Sequence, residues 1–151
     1  MTVTDAAFLE KAIRSTDQWL ADLASELGWE DRRKVYRALR VTLQTLRDRL
    51  TIEEAAQLGA QLPLLLRGVY YEGWSPTKAA KTKLKRKEFL LALDGAFSND
   101  LDFDAESVCQ AVFSVIERHV SGGENRDVEA VLPKGLKEIW AQAGLAVEQR
   151  R

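Results

Sequence analysis

Between Val35 and Leu50 the apolar residues fall at Val35, Ala38, Leu39, Leu43, Leu46 and Leu50, with Thr42 in the remaining slot. That is the i, i+3, i+4, i+7 spacing of a helix with one buried face. Arg37, Arg40, Gln44, Arg47 and Asp48 take much of the other face. A second such run is Ala105, Val108, Cys109, Val112, Phe113, Ile116 and Val120, and a third is Trp19, Leu20, Leu23 and Leu27. The start of the third has two readings. Ser15 and Gln18 can form a capping box, whereas Phe8, Ala12, Trp19 and Leu23 keep phase as one longer helix. No segment alternates with period two over a strand's length, so no strand is expected.

Helix starts are marked as well. In Thr51-Ile-Glu-Glu54 the Thr51 hydroxyl can accept from the backbone N–H of residue 54, and Glu54 can reach back to the N–H of residue 51. Ser121-Gly-Gly-Glu124 is the same device. A short helix follows each, and then Leu62-Pro63 or Leu132-Pro133. Proline lacks the N–H that a first turn leaves unpaired and has a φ suited to that turn, so each should open a further helix.

These coincidences form one pattern. Moving the chain by 70 positions without a gap lays Trp19–Tyr70 on Phe89–Trp140. Leu23 then meets Leu93, Leu43 meets Phe113, Leu46 meets Ile116, Thr51 meets Ser121, and Leu62-Pro63 meets Leu132-Pro133. The expected fold is all-α: a single compact domain, residues 1–151, of about eight helices. It is built from two pseudo-symmetric four-helix repeats, units 15–72 and 85–142, joined by a linker at 73–84. The pieces are about 17–27, 32–50, 52–61 and 63–72, then 87–98, 104–120, 122–131 and 133–142. A unit of that size is marginal alone, so the two should bury complementary faces against each other.

Composition narrows the chemistry. Apolar residues are 46% and charged residues 30% of 151, a globular balance. Lys+Arg is 22 and Asp+Glu is 23, so no global field draws the chain to DNA or membranes. One cysteine, Cys109, and one histidine, His119, exclude a disulfide framework and a zinc knuckle within one chain. The longest uncharged stretch beside a helix, Ala55 to Leu66, is far short of the ~20 residues a bilayer needs. The N-terminus has no basic leader before an apolar run, so a cytoplasmic location is expected.

The stretches VYYEGW (Val69–Trp74), LRDRLTIEEAAQLGAQLP (Leu46–Pro63) and ERHVSGGENRDVEAVLPKGLKEIW (Glu117–Trp140) resemble the bacterial domain-of-unknown-function family 2267. The resemblance covers residues 15 to 142. It implies a small all-helical bacterial protein made of a duplicated unit, and it implies no activity. The lysine-rich stretch before Phe89 departs from the family pattern.

Few residues converge on chemistry. Cys109 and His119 lie on one expected helix, about 15 Å apart along its axis, and a nucleophile and its base need roughly 3 Å. Cys109 aligns with Leu39 and reads as a buried small residue; His119 aligns with Arg49 and suits a helix C-terminus. Asp100, Asp102 and Asp104 have EF-hand spacing, but Ala105 and Ala111 stand where the glycine and the bidentate glutamate belong. That stretch reads as an acidic helix start, with Asp102 or Asp104 as N-cap. No metal site and no cofactor are expected.

The candidate binding surface is Tyr71, Trp74, Lys78, Lys81, Lys83, Lys85, Arg86 and Lys87. Residues 78–87 hold six bases and no acid, while 88–117 hold acids and no base. The strap is either solvated, in contact with a polyanion, or docked on an acidic partner. Tyr71 and Trp74 either pin the linker to the domain or present rings for binding. The leading functional reading is a non-enzymatic interaction or structural module, with a protein partner or self-association and no membrane. The first alternative is a nucleic-acid-binding accessory protein using 78–87. The second is a small-ligand or enzyme site in the groove between the repeats.

Overall fold

The computed structural model describes residues 3–78, 85–97, 103–120, 122–132 and 134–149. The helices are α1 (Val3–Leu27), α2 (Arg32–Arg49), α3 (Ile52–Ala60), α4 (Leu64–Tyr71), α5 (Arg86–Ala96), α6 (Ala105–His119), α7 (Gly122–Val131) and α8 (Lys134–Gln149), with one 3₁₀ turn at Pro76–Lys78. The chain is all-helical, with eight α-helices and no strand among the described residues.

Local sequence explains most helix ends. α1 stops at Gly28, whose φ of +69° only glycine adopts at no steric cost. The Trp29 N–H then reaches back to the Ala24 carbonyl at 3.1 Å, closing a Schellman-type end. Asp31 caps α2, accepting from the N–H groups of Arg33 and Lys34. The Thr51 box forms as expected: Glu54 N–H to Thr51 Oγ1 is 3.2 Å and Thr51 N–H to Glu54 Oε1 is 2.9 Å. Pro63 sits at the N-cap of α4 with φ −65°. Asp104 holds the N-cap position of α6, but its carboxylate accepts from the Ser107 hydroxyl at 2.5 Å and not from a backbone N–H. Ser121 and Pro133, which carry the second box and the second Leu-Pro, lie outside the described residues.

Two helices differ from the sequence expectation. α1 takes the longer reading and runs 25 residues, ~37 Å, rather than starting near residue 17. α8 continues to Gln149, beyond the expected stop at 142.

The core is continuous from Trp19 to Ala143. α6 is its axis: it packs most extensively on α8 and then on α1, and it also meets α2 and α5. Leu23, Leu43, Leu58, Phe89, Phe113 and Ile139 are fully buried, each worth about 1.5–3 kcal/mol relative to exposure. Arg47 is a correction to the polar-face assignment: it is only 4% exposed. Among the described residues no helix is long and apolar enough to cross a membrane.

Candidate functional site

The end of α4 is assembled from α2. A helix C-terminus leaves carbonyls without partners inside the helix. The Arg47 guanidinium donates to the Tyr70 carbonyl at 2.9 Å and the Glu72 carbonyl at 2.7 Å, and Gln44 donates to the Val69 carbonyl at 2.8 Å. Arg47 Nε meets Asp48 at 2.8 Å. The Tyr70 hydroxyl donates to the Ala55 carbonyl at 2.7 Å, and burial pushes its pKa far above the usual phenol value. The Tyr71 ring lies 4.9 Å from that of Tyr70 and 5.3 Å from that of Trp74. Both Tyr71 and Trp74 are half-buried and packed on the core. Gly59 makes this possible, because a Cβ there would stand 2.7 Å from Tyr71 Cζ.

The basic strap divides. Lys78 ends the 3₁₀ turn, and Lys81 and Lys83 lie outside the described residues. Lys85 is the exposed N-cap of α5, and Lys87 is exposed in its first turn. Arg86 is engaged by the fold: it forms an ion pair with Glu106 of α6 and another, at 3.1 Å, with Glu138 of α8. Tyr71 and Trp74 pack on the core, while Arg86 is paired with acids of α6 and α8.

A polar cluster joins α1 to α6. His119 Nε2 lies 2.6 Å from Asp22, and its ring stacks on Trp19 at 4.9 Å and 21°. Arg118 reaches Glu26 at 3.3 Å and Asp22 at 4.0 Å, and Ser114 donates to Glu26 at 3.4 Å. Beside it a cleft of about 270 Å³ opens between α1, α6 and α8. Cys109, ten residues earlier on α6, is buried, and that burial pushes its thiol far above the usual range, so it stays protonated. Among the described residues no group of three or more His, Cys, Asp or Glu side chains is arranged to hold a metal ion.

Residues 16–139 match the family described as an uncharacterized conserved protein (DUF2267). The chain belongs to the DUF2267 family. No curated protein matches it. The family description attaches no activity to this DUF2267 chain, so its sites are read from geometry.

One surface of the DUF2267 protein was half visible in its sequence. Phe8, Ala12, Trp19 and Leu23 keep phase along α1, as do Leu9, Ile13, Leu20 and Leu27. Trp19 and Leu23 are 3% and 0% exposed, whereas Phe8, Leu9 and Ile13 are 58%, 46% and 60% exposed. The same stripe is thus covered over its C-terminal half and bare over its N-terminal half. The α1–α6 cluster was missed entirely. Asp22 and Glu26 are four apart on one helix face next to Trp19, but their partners stand 97 and 92 positions away.

Proposed function

We propose that this DUF2267 chain is a non-enzymatic helical interaction module of the cytoplasm, a single domain whose α1 docks against a second copy of the chain. The bare half of the α1 stripe carries this reading. Ridges of Phe8, Leu9 and Ile13 around the small Ala12 are in phase with the face that already packs on the core. An exposed apolar face of this kind marks an interaction surface that another apolar face would cover. A two-fold pair, in which the same patch meets itself, is the commonest way to cover it. Light scattering on the eluting protein tests this. Wild type should run with twice the monomer mass at tens of micromolar, and Phe8→Glu with Ile13→Glu should run as a monomer. A wild-type monomer at that concentration refutes the docking.

The duplicated architecture belongs to the same proposal. Helix packing supports it: α1 packs on α6 as α5 packs on α2, α2 on α4 as α6 on α8, and α1 on α2 as α5 on α6. α3 meets α7, and α2 meets α6, as pairs exchanged by a pseudo-two-fold would. Buried residues fall at matching places, including Trp19 and Phe89, Leu23 and Leu93, Leu46 and Ile116, and Tyr70 and Trp140. The units differ where their fourth helices differ. α4 stops at Tyr71 and needs Gln44 and Arg47 to cap it; α8 runs on to Gln149, and Ser114 and Glu117 stand at the matching places.

The nucleic-acid reading has less support. With Arg86 held by Glu106 and Glu138, the described part of the strap offers Lys85 and Lys87 to a phosphate chain.

A further inference from the structure

We propose that the N-terminal half of α2 binds single-stranded nucleic acid, with Arg33, Arg37 and Arg40 on the phosphates and Tyr36 under a base. This surface is separate from the 78–87 strap and from α1, and it does not depend on the pairing of α1. Residues 32–47 hold six bases and no acid, although the net charge of the chain is −1. Around the helix Arg33, Tyr36, Arg37 and Arg40 fall within about 100° of one another. Arg33, Tyr36 and Arg37 are exposed and Arg40 is half-buried.

The fold leaves these three arginines without counter-ions. Among the described residues no carboxylate pairs with Arg33, Arg37 or Arg40. Their neighbours are occupied: Arg32 meets Asp17 at 3.3 Å, and Lys34 lies over the Trp29 ring at 4.2 Å. Arg37 donates to the Ala96 carbonyl at 2.9 Å and lies over the Phe97 ring at 5.0 Å. Arg40 lies over the Tyr36 ring at 5.8 Å, and its Nε is buried without a hydrogen-bond partner. Two guanidinium groups are thus held in place with most of their N–H donors unused. Holding a half-buried guanidinium with no counter-ion costs stability, and an anion from outside offsets that cost.

Further along α2 the same face carries Gln44 and Arg47, and there α4 supplies the acceptors, the Val69, Tyr70 and Glu72 carbonyls. α4 stops at Tyr71, and Arg33 and Arg37 are left exposed. In the second unit α8 runs on to Gln149, and Gln142 meets Gln110 at 2.5 Å, at the place that matches Arg40. The matching face of α6, at Phe103, Glu106, Ser107 and Gln110, carries no base. This comparison rests on the repeat proposed above; the arginine face itself does not.

Spacing and the ring select the partner. Arg33 to Arg40 spans about 10 Å along the axis, over which one stacked strand carries about three phosphates. The planar guanidinium fork matches phosphate oxygens in pairs. Tyr36, between the arginines, is 36% exposed and offers a flat ring on which an unpaired base stacks. An acidic peptide would use the arginines and leave the ring idle. A duplex keeps its bases stacked on one another, whereas a single strand can splay them onto an aromatic side chain.

The test is fluorescence anisotropy of a labelled oligothymidine of about 12 nucleotides, within the usual site size, titrated with the full-length protein. The expected result is saturable binding with a Kd of about 100 μM or tighter in about 0.05 M salt. Three phosphate contacts, each adding about 0.7 to the salt slope, should make the affinity fall about 20-fold on going to about 0.2 M. Arg33→Gln with Arg40→Gln should weaken binding about tenfold or more at the lower salt and reduce that fall to about threefold. Tyr36→Leu should weaken binding about fivefold or more, and Tyr36→Phe should keep it. The proposal is overturned by the lack of a saturable rise with wild type, by equal or tighter binding of the same strand as a duplex, or by equal competition from polyglutamate of matched charge. A folded Tyr36→Leu variant that binds like wild type also overturns it, as does an equal loss in Lys85→Gln with Lys87→Gln, which would put the site on the strap. If the double arginine variant fails to fold by circular dichroism, Arg33→Gln alone should lower the salt slope by about 0.7, and an unchanged slope overturns the proposal.

Discussion

Arg47 offers the most demanding test of how the fold is held. Its side chain is 5% exposed, so its bonds are little screened by water. Replacing it with alanine leaves the Tyr70 and Glu72 carbonyls at the end of α4 without the donors that now reach them at 2.9 and 2.7 Å. A hydrogen bond to a charged donor contributes about 1.5–3 kcal/mol, and two are lost together here. The cost should therefore be about 3–5 kcal/mol, read from urea melts. The Asp48 ion pair adds little, because that carboxylate is 55% exposed; Asp48→Ala should cost less than about 1 kcal/mol. Arg47→Lys should fall between, since one ammonium on a flexible stem does not reproduce the planar fork. Because α4 carries Tyr71 toward Trp74, tryptophan fluorescence should shift to the red in Arg47→Ala before global unfolding. An Arg47→Ala protein within about 1 kcal/mol of wild type would refute the capping role.

Other substitutions separate effects of opposite sign. Gly59→Ala should destabilise by about 1–3 kcal/mol, because the new Cβ meets Tyr71 Cζ at 2.7 Å, whereas Gly68→Ala in open space should stabilise by roughly 0.5–1 kcal/mol in the same urea melts. Leu46→Ala and Ile116→Ala, 1% and 0% exposed, should each cost about 2–5 kcal/mol, and Pro63→Ala only about 0.4–1 kcal/mol. Cys109 has an ordinary value of 9.0 that burial raises in the folded state. Its share of stability is therefore full below pH 9 and is lost as pH rises above it, so melts should weaken above pH 9 and Cys109→Ala should flatten that decline. The thiol should also react with a disulfide reagent only as fast as the protein opens.

Most of the helices were legible because their signals are local. The period of Val35–Leu50, the Thr51–Glu54 box and the Leu62-Pro63 pair each act within a few residues, and each appears where the pattern puts it. α1 was ambiguous for a physical reason. Its apolar phase runs without a break through Phe8, but a bare stripe and a covered one look the same in sequence. Arg47 was assigned to the polar face because nothing local marks a guanidinium that will cap another helix. The Asp22–His119 pair and the inter-helix cleft depend on α1 reaching α6, a contact that no nearby residue encodes. Of the strap, Arg86 looked available because its acids lie 20 and 52 positions away.

The central claim is that two helical units share one core, and splitting the chain tests it most directly. α1 packs on α6, α2 on α5 and on α6, and α3 on α7, so a cut between residues 75 and 76 strips partners from both halves. Fragments 1–75 and 76–151 should each show weak helical circular dichroism and no cooperative thermal transition. Mixed in equal amounts, they should regain helicity and melt in one transition. Two isolated fragments that each melt cooperatively, unchanged on mixing, would contradict the shared core and show two independent domains.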